Sequence, residues 1–176
     1  MSATFELVTA AQLETLHHLM QLYLYDFTEF LDIQLEEDGR FRPYPDLQKY
    51  VQEPAGKHRS YLFRSMGHIA GFALVDVDQL TPDGEHYLAE FFVLKRYRRQ
   101  GIGREAAFAL FDLHPGRWSV SQLVNNIPAQ SFWRQVIDEY TGGSYSERVK
   151  PHNGNLVQLF CSNRAVAQSE LTDSSD

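Results

Sequence analysis

The chain has 176 residues, 43% of them hydrophobic, enough for one well-buried core and too few for two ordinary domains. A formal net charge of −7 argues against a general nucleic-acid or membrane binder. The single cysteine, Cys161, excludes an internal disulfide and a thiolate-rich metal site, and no stretch approaches the roughly 18 apolar residues of a membrane helix. Residues 1–10 lack the basic start and apolar run of a signal peptide, so a soluble, cytoplasmic protein is expected.

In chain order, residues 4–8 alternate weakly and read as an edge strand. Thr9 and Gln12 have capping-box spacing and open a helix whose apolar stripe is Leu13, Leu16, Met20, Tyr23, Leu24 and Phe27; its end is expected near Leu31. Asp26, Glu29, Asp32, Glu36, Glu37 and Asp38 follow with no basic residue among them. They read either as a solvated helix end and loop or as a field that draws a cationic amine. A turn-rich loop at 39–45 leads to a short second helix at 46–52, broken by Pro54, Ala55 and Gly56.

Residues 59–64 and 68–75 form an antiparallel hairpin around Met66 and Gly67, the second arm apolar enough to be buried on both faces. After the turn signal at 81–84, a strand at 87–94 runs into a glycine turn and then a helix that ends at Pro115 and Gly116. A strand at 117–124 precedes a helix beginning at Asn126, with Pro128 in its first turn. Strands at 144–149 and 156–161 close the chain as a hairpin, with Cys161 expected in the core. The polar residues 163–176 read as a disordered tail behind one domain at 1–162. This order of elements suggests a mixed, mostly antiparallel sheet covered by helices on both faces.

The chemistry concentrates between Glu90 and Arg104. A strand that feeds a glycine turn and a helix N-terminus makes an anion cradle, because the first helical N–H groups lack intrahelical partners and carry the positive end of the peptide dipoles. Gly101 and Gly103 let the backbone approach a ligand closely. Lys95, Arg96, Arg98, Arg99 and Arg104 surround the turn without an acid between them, pointing to a small polyanion and to a pyrophosphate grip. Neither common nucleotide loop fits. A Walker loop needs G-x-x-x-x-G-K-[ST], and a dinucleotide fold needs an acid about 20 residues after its turn, where this chain has residues 117–122 without one.

Written from Val93 to Gly103, the motif is V-x-x-x-x-R-x-x-G-x-G, and Asn126, Ala129, Phe132 and Trp133 fall on N-x-x-A-x-x-[FL]-Y except at its last place. With the element order over residues 4–161, the chain resembles the GNAT superfamily of N-acetyltransferases. The resemblance implies an α+β fold whose central mixed sheet of six to seven strands is splayed after the fourth strand. It implies acetyl-CoA as cosubstrate, no metal, and direct transfer of the acetyl group to an amine. Backbone N–H groups from Arg99, Gln100, Gly101, Ile102, Gly103 and Arg104 would hold the pyrophosphate, with Arg98 framing the turn. Val93 and Leu94 would flank the pantetheine arm, with the Val93 N–H directed at the thioester carbonyl. Asn126 would bond the same arm, although an asparagine there is also a good helix cap.

Glu90 is the leading candidate for the base that deprotonates the amine, with a buried structural glutamate as the other reading; Tyr87, Glu85 and His86 are weaker options. Trp133 stands where the family commonly has a tyrosine acid, and an indole N–H is not a usable acid. Ser131, Tyr140 or water would replace it, or the thiolate would leave unassisted. The expected function is acetyl transfer to a primary amine of a small cationic molecule. The alternatives are a protein or peptide amine as acceptor, or a non-catalytic acyl-CoA-binding module. No nucleic acid or membrane partner is expected, and the oligomeric state stays open, a homodimer included.

Overall fold

A computed structural model describes residues 3–52, 56–77 and 84–162. The expected break at Pro54 and Ala55, the turn at 81–83 and the tail at 163–176 lie outside these residues. The chain forms two compact units: Met1–Asp76 with Ala89–Ile102, and Val77–Leu88 with Gly103–Asp176.

In the first unit, β1 (Ala3–Leu7) pairs antiparallel with β2 (His58–Ser65), and β2 with β3 (His68–Asp76). The β2–β3 turn has φ of 51° at Met66 and 79° at Gly67, the left-handed pair that matches the twist of a two-residue hairpin. Helix α1 (Leu13–Phe27) buries Leu16, Leu19, Met20 and Tyr23 against Leu62, Phe72, Leu74 and Phe92. At about 1.5–3 kcal/mol for each large side chain removed from water, this face fixes the rotation of the helix. The exposed Glu14–His18 pair, at about 0–1 kcal/mol, cannot compete.

Two helix ends differ from the sequence expectation. Helix α1 stops at Phe27, four residues early, where the Thr28 hydroxyl donates to the Tyr25 carbonyl at 2.7 Å and tightens the last turn. Helix α2 is Lys49–Gln52 and does not reach back to Asp46, whose φ of 56° is incompatible with a right-handed helix.

Strand β4 (His86–Val93) starts in the second unit and ends in the first. Its final residues lie against β3: Leu94 N–H donates to Ala70 O at 2.9 Å, beside a bulge at which Ala70 is the extra residue between the Phe63–Gly71 and Arg64–Ile69 pairs.

In the second unit, the start of β4 pairs in parallel with β5 (Gly116–Gln122) over three residues only, from His86–Trp118 to Leu88–Val120. Helix α3 (Ile102–Leu113) precedes β5, and α4 (Ile127–Thr141) follows it. Strand β7 (Leu156–Ser162) pairs antiparallel with both β5 and β6 (Tyr145–Val149), the expected closing hairpin. The strand order is β1-β2-β3-β4-β5-β7-β6, a mixed seven-stranded sheet in which the β4–β5 ladder stops at Leu88. Around Phe111 the rings of Trp118, Phe160, Tyr140 and Trp133 lie 4.8–6.4 Å away and form the core of this unit. Cys161 is exposed, a correction of its expected burial, because its neighbours Phe160 and Ser162 take the inward side of the pleat. No helix among the described residues is long and apolar enough to cross a membrane.

Candidate active site

Strand alternation decides the surroundings of Glu90. Phe91 turns to Phe63 at 5.3 Å, whereas Phe92 meets Tyr23 of α1 at 5.7 Å, so Glu90 shares the α1 side with Phe92. There the Tyr23 hydroxyl donates to the Glu90 carboxylate, and Tyr44 adds a second hydrogen bond. Burial pushes the Glu90 carboxyl up from its ordinary range, the two tyrosine hydroxyls partly oppose this, and the nearby Asp76 charge adds to the rise. Asp76 has its own partners: the Tyr50 hydroxyl at 2.8 Å and His58 Nδ1 at 2.8 Å. Burial and Asp76 together push the Tyr50 hydroxyl far above its ordinary value. A carboxyl that titrates high while still accepting hydrogen bonds is suited to take a proton.

The alternatives to Glu90 have structural work. Glu85 accepts the Arg117 N–H at 3.2 Å, His86 is buried with Nε2 3.0 Å from Pro115 O, and Tyr87 lies beneath Lys150.

The glycine turn has an unusual backbone. A 3₁₀ turn at Lys95–Tyr97 leads from β4 to Arg98, after which Arg99 (φ 57°) and Gly101 (φ 85°) are left-handed, with Gln100 between them outside that region. Alternation of this kind makes successive N–H groups converge on a concave nest, and here it runs straight into the first turn of α3. A non-glycine residue held at positive φ costs roughly 1–2 kcal/mol, so Arg99 is strained within this turn.

The basic side chains divide. Arg98 donates from Nε to Val93 O at 2.7 Å and pairs with Asp26, which Lys95 also reaches at 3.2 Å. Arg104 makes a two-pronged pair with Glu139 and lies over the Phe108 ring. Arg96 and Arg99 have no carboxylate partner among the described residues and remain exposed. The backbone nest and these two free arginines fit the diphosphate of a CoA.

In the second unit, Gly103 and Arg104 belong to the first turn of α3. Asn126 is buried and caps α4, its Oδ1 accepting from Ala129 N–H at 3.1 Å, so the capping reading of this residue holds. Trp133 is 5% exposed and packs against Phe132 and Phe111. Among the substitutes for the missing tyrosine, Tyr140 donates its hydroxyl to Asp112 at 2.7 Å, and Ser131 is exposed.

A cavity of about 690 Å³ is lined by Tyr25, Thr28, Glu29, Leu31, Asp32 and Phe41, among others. It is not the surroundings of Glu90. Apart from Tyr25, which is 64% exposed, and Phe41, its lining comes from residues 28–35, beyond the end of α1. The acidic stretch is thus sorted by structure: Asp26 faces inward to Arg98, Glu36 holds Arg42 at 2.6 Å, and Glu29 and Asp32 line the cavity.

Sequence reasoning missed Tyr23, Tyr44 and Asp76 as partners of the site. Tyr23 was legible only as part of an apolar stripe, and no local pattern joins it to a residue 67 positions away. Among the described residues no group of three or more His, Cys, Asp and Glu side chains could hold a metal ion.

The family model described as the acetyltransferase (GNAT) family matches residues 17–136. No curated protein sequence is significantly similar to the chain. Among solved structures, an acetyltransferase from Thermus thermophilus is 14% identical with a TM-score of 0.64, over 92% of this chain and 97% of that one. A PaiA N-acetyltransferase from Thermoplasma acidophilum in complex with coenzyme A is 9% identical with a TM-score of 0.60, over 92% and 99% of the two chains. A ribosomal-protein alanine N-acetyltransferase from Escherichia coli is 14% identical with a TM-score of 0.58, over 92% and 95%. At such identities the likeness is one of fold.

Proposed function

Since the chain belongs to the GNAT family of acetyltransferases and transfers acetyl groups from acetyl-CoA, we propose that its acceptor is the primary amine of a small cationic molecule and that Glu90 is the base. The observation that carries this reading is the carboxyl held by Tyr23 and Tyr44 on the α1 side of β4, with Asp76 near enough to influence its titration. Two carboxylates among three tyrosines favour an ammonium ion, and the overall acidity of the chain favours its approach.

Acetyl-CoA supplies an acyl group on a thiol leaving group. The N–H groups from Arg99 to Arg104 hold the diphosphate. Residues 89–93, past the last β4–β5 pair, offer their backbone to the pantetheine amides in the manner of an added strand. The Val93 N–H donates to the thioester carbonyl oxygen as negative charge grows there, a contribution of about 3 kcal/mol in comparable sites. Glu90 takes a proton from the ammonium, and the neutral amine attacks the thioester carbonyl carbon; the C–S bond breaks as the C–N bond forms, and the proton that the amide nitrogen sheds goes to the thiolate or to water. With Trp133 in place of a tyrosine, no side-chain acid is assigned to the departing thiolate, whose conjugate thiol has a pKa near ~8.5 and needs none.

A peptide or protein amine is the second reading. It is favoured by the apolar and acidic cavity lined by residues 28–35, which suits side chains flanking a target amine. The test is release of free thiol from acetyl-CoA against a panel of diamines, aralkylamines, amino acids and N-terminal peptides. Turnover with small cationic amines is expected; turnover confined to peptides would replace the first reading with the second.

Asn126 separates its two roles by substitution. Asn126→Ala removes the cap and is expected to lower stability by about 1 kcal/mol in a denaturant titration. Asn126→Asp keeps the capping oxygen and loses the amide donor. We expect near-native stability with a raised KM for acetyl-CoA; an unchanged KM would leave Asn126 as a cap alone.

A further inference from the structure

We propose that Asp26 is a positioning residue for the cofactor turn: it anchors the Arg98 guanidinium, so that Arg98 braces the base of the turn instead of reaching for phosphate. The inference rests on the reading that this turn holds the CoA diphosphate.

Asp26 follows Tyr23 by three residues and shares the inward side of α1; its side chain is 16% exposed, against 40% for Arg98. Arg98 directs its donors to Asp26 and, from Nε, to Val93 O at 2.7 Å, and its guanidinium carbon lies 5.7 Å from the centre of the Phe92 ring. One side chain therefore ties α1, the last peptide of β4 and the entry to the nest. Lys95 adds a second cation to the same carboxylate. The nest contains a strained residue, Arg99, so its shape has to be imposed from outside, and the brace lies directly before it. Without Asp26 the long Arg98 side chain regains its rotamers and the turn is no longer pre-formed, which weakens binding.

A purely electrostatic role predicts the opposite sign. Loss of a carboxylate near the diphosphate, screened by water and salt, would tighten binding about twofold. The brace is the larger effect, because it sets the geometry of several N–H donors at once.

The measurement is calorimetric titration of the full-length protein with CoA, alongside thermal melts and steady-state KM values. Asp26→Asn is expected to raise the CoA Kd about tenfold and the KM for acetyl-CoA in parallel, leaving the amine KM unchanged. Arg98→Lys keeps the charge on Asp26 and loses the Nε bond to Val93 O; it should show the same tenfold loss and carries the test if Asp26→Asn does not fold. The double variant should be no weaker than either single one, since both break one brace. Glu36→Gln, which removes a carboxylate from the same acidic stretch, should leave the Kd within twofold. A CoA Kd that is unchanged or tighter in Asp26→Asn and Arg98→Lys, whatever the melting temperature, overturns the proposal. Failure of the wild-type protein to bind CoA would instead overturn the reading of the turn itself.

Discussion

Glu90→Gln is expected to lower kcat by about 10²–10⁴, the usual worth of a positioned base, with CoA affinity retained. Glutamine keeps an oxygen for the Tyr23 hydroxyl and has no basic form, so the loss reports the proton transfer and not the packing. The wild-type kcat/KM should rise with pH through the raised Glu90 value. In the variant that limb disappears and only the ionisation of the amine itself remains.

The same substitution should stabilise the protein at neutral pH. Glu90 titrates above its unfolded value of about 4.5 because it is buried, so the native state binds this proton more readily than the unfolded chain. The contribution of Glu90 to stability is therefore full below the unfolded value and is lost as pH rises through the native one. Above the unfolded value the wild type loses stability with rising pH, because burial resists ionisation of Glu90, and Glu90→Gln carries no such loss. At pH 4 and below both side chains are largely neutral and the difference should close. Melting temperatures of the two proteins at pH 7.5 and pH 4 check the sign. A variant less stable than wild type at pH 7.5 would mean that the tyrosine hydrogen bonds outweigh burial.

The second large effect is steric. A Cβ on Gly71 would stand 2.0 Å from Phe92 O and 3.1 Å from Phe63 Cδ2. The first obstacle is backbone and cannot rotate away, so Gly71→Ala forces β3 from the end of β4. Overpacking of this kind costs about 3 kcal/mol or more. For a chain of this size that is roughly 6–12 °C in Tm. Because Phe92 lies between Glu90 and Val93, the proposed base and the proposed oxyanion donor move with it, and a displacement of ~1 Å can remove about 10²-fold in rate. Gly67→Ala is the control: it has open space around it and carries only the strain of positive φ, about 1 kcal/mol. A Gly71→Ala protein as stable and active as that control would refute the close approach.

Much of the local structure around the candidate site was legible in the sequence. Strand, turn and helix around the motif depend on neighbours within a few residues, and Gly101 has the positive φ that its type allows. The capping role of Asn126 was likewise readable from Pro128 and the helix that follows. The basic residues were legible as a positive cluster but not as individuals. That Arg98 and Arg104 are occupied by Asp26 and Glu139, while Arg96 and Arg99 have no carboxylate partner among the described residues, depends on partners 72 and 35 positions away.

By itself the sequence determined the order of elements, the glycine turn before α3 and the family, because hydrophobic period, glycine placement and helix signals act over short stretches. Only tertiary structure decided the partners of Glu90 and Asp26. Packing of Leu16, Leu19 and Met20 fixes the rotation of α1, and that rotation turns Tyr23 to the carboxyl of Glu90 and Asp26 to the guanidinium of Arg98. Burial and hydrogen bonding by residues distant in the chain set the proton affinity of a carboxylate, and no local pattern of residues encodes them.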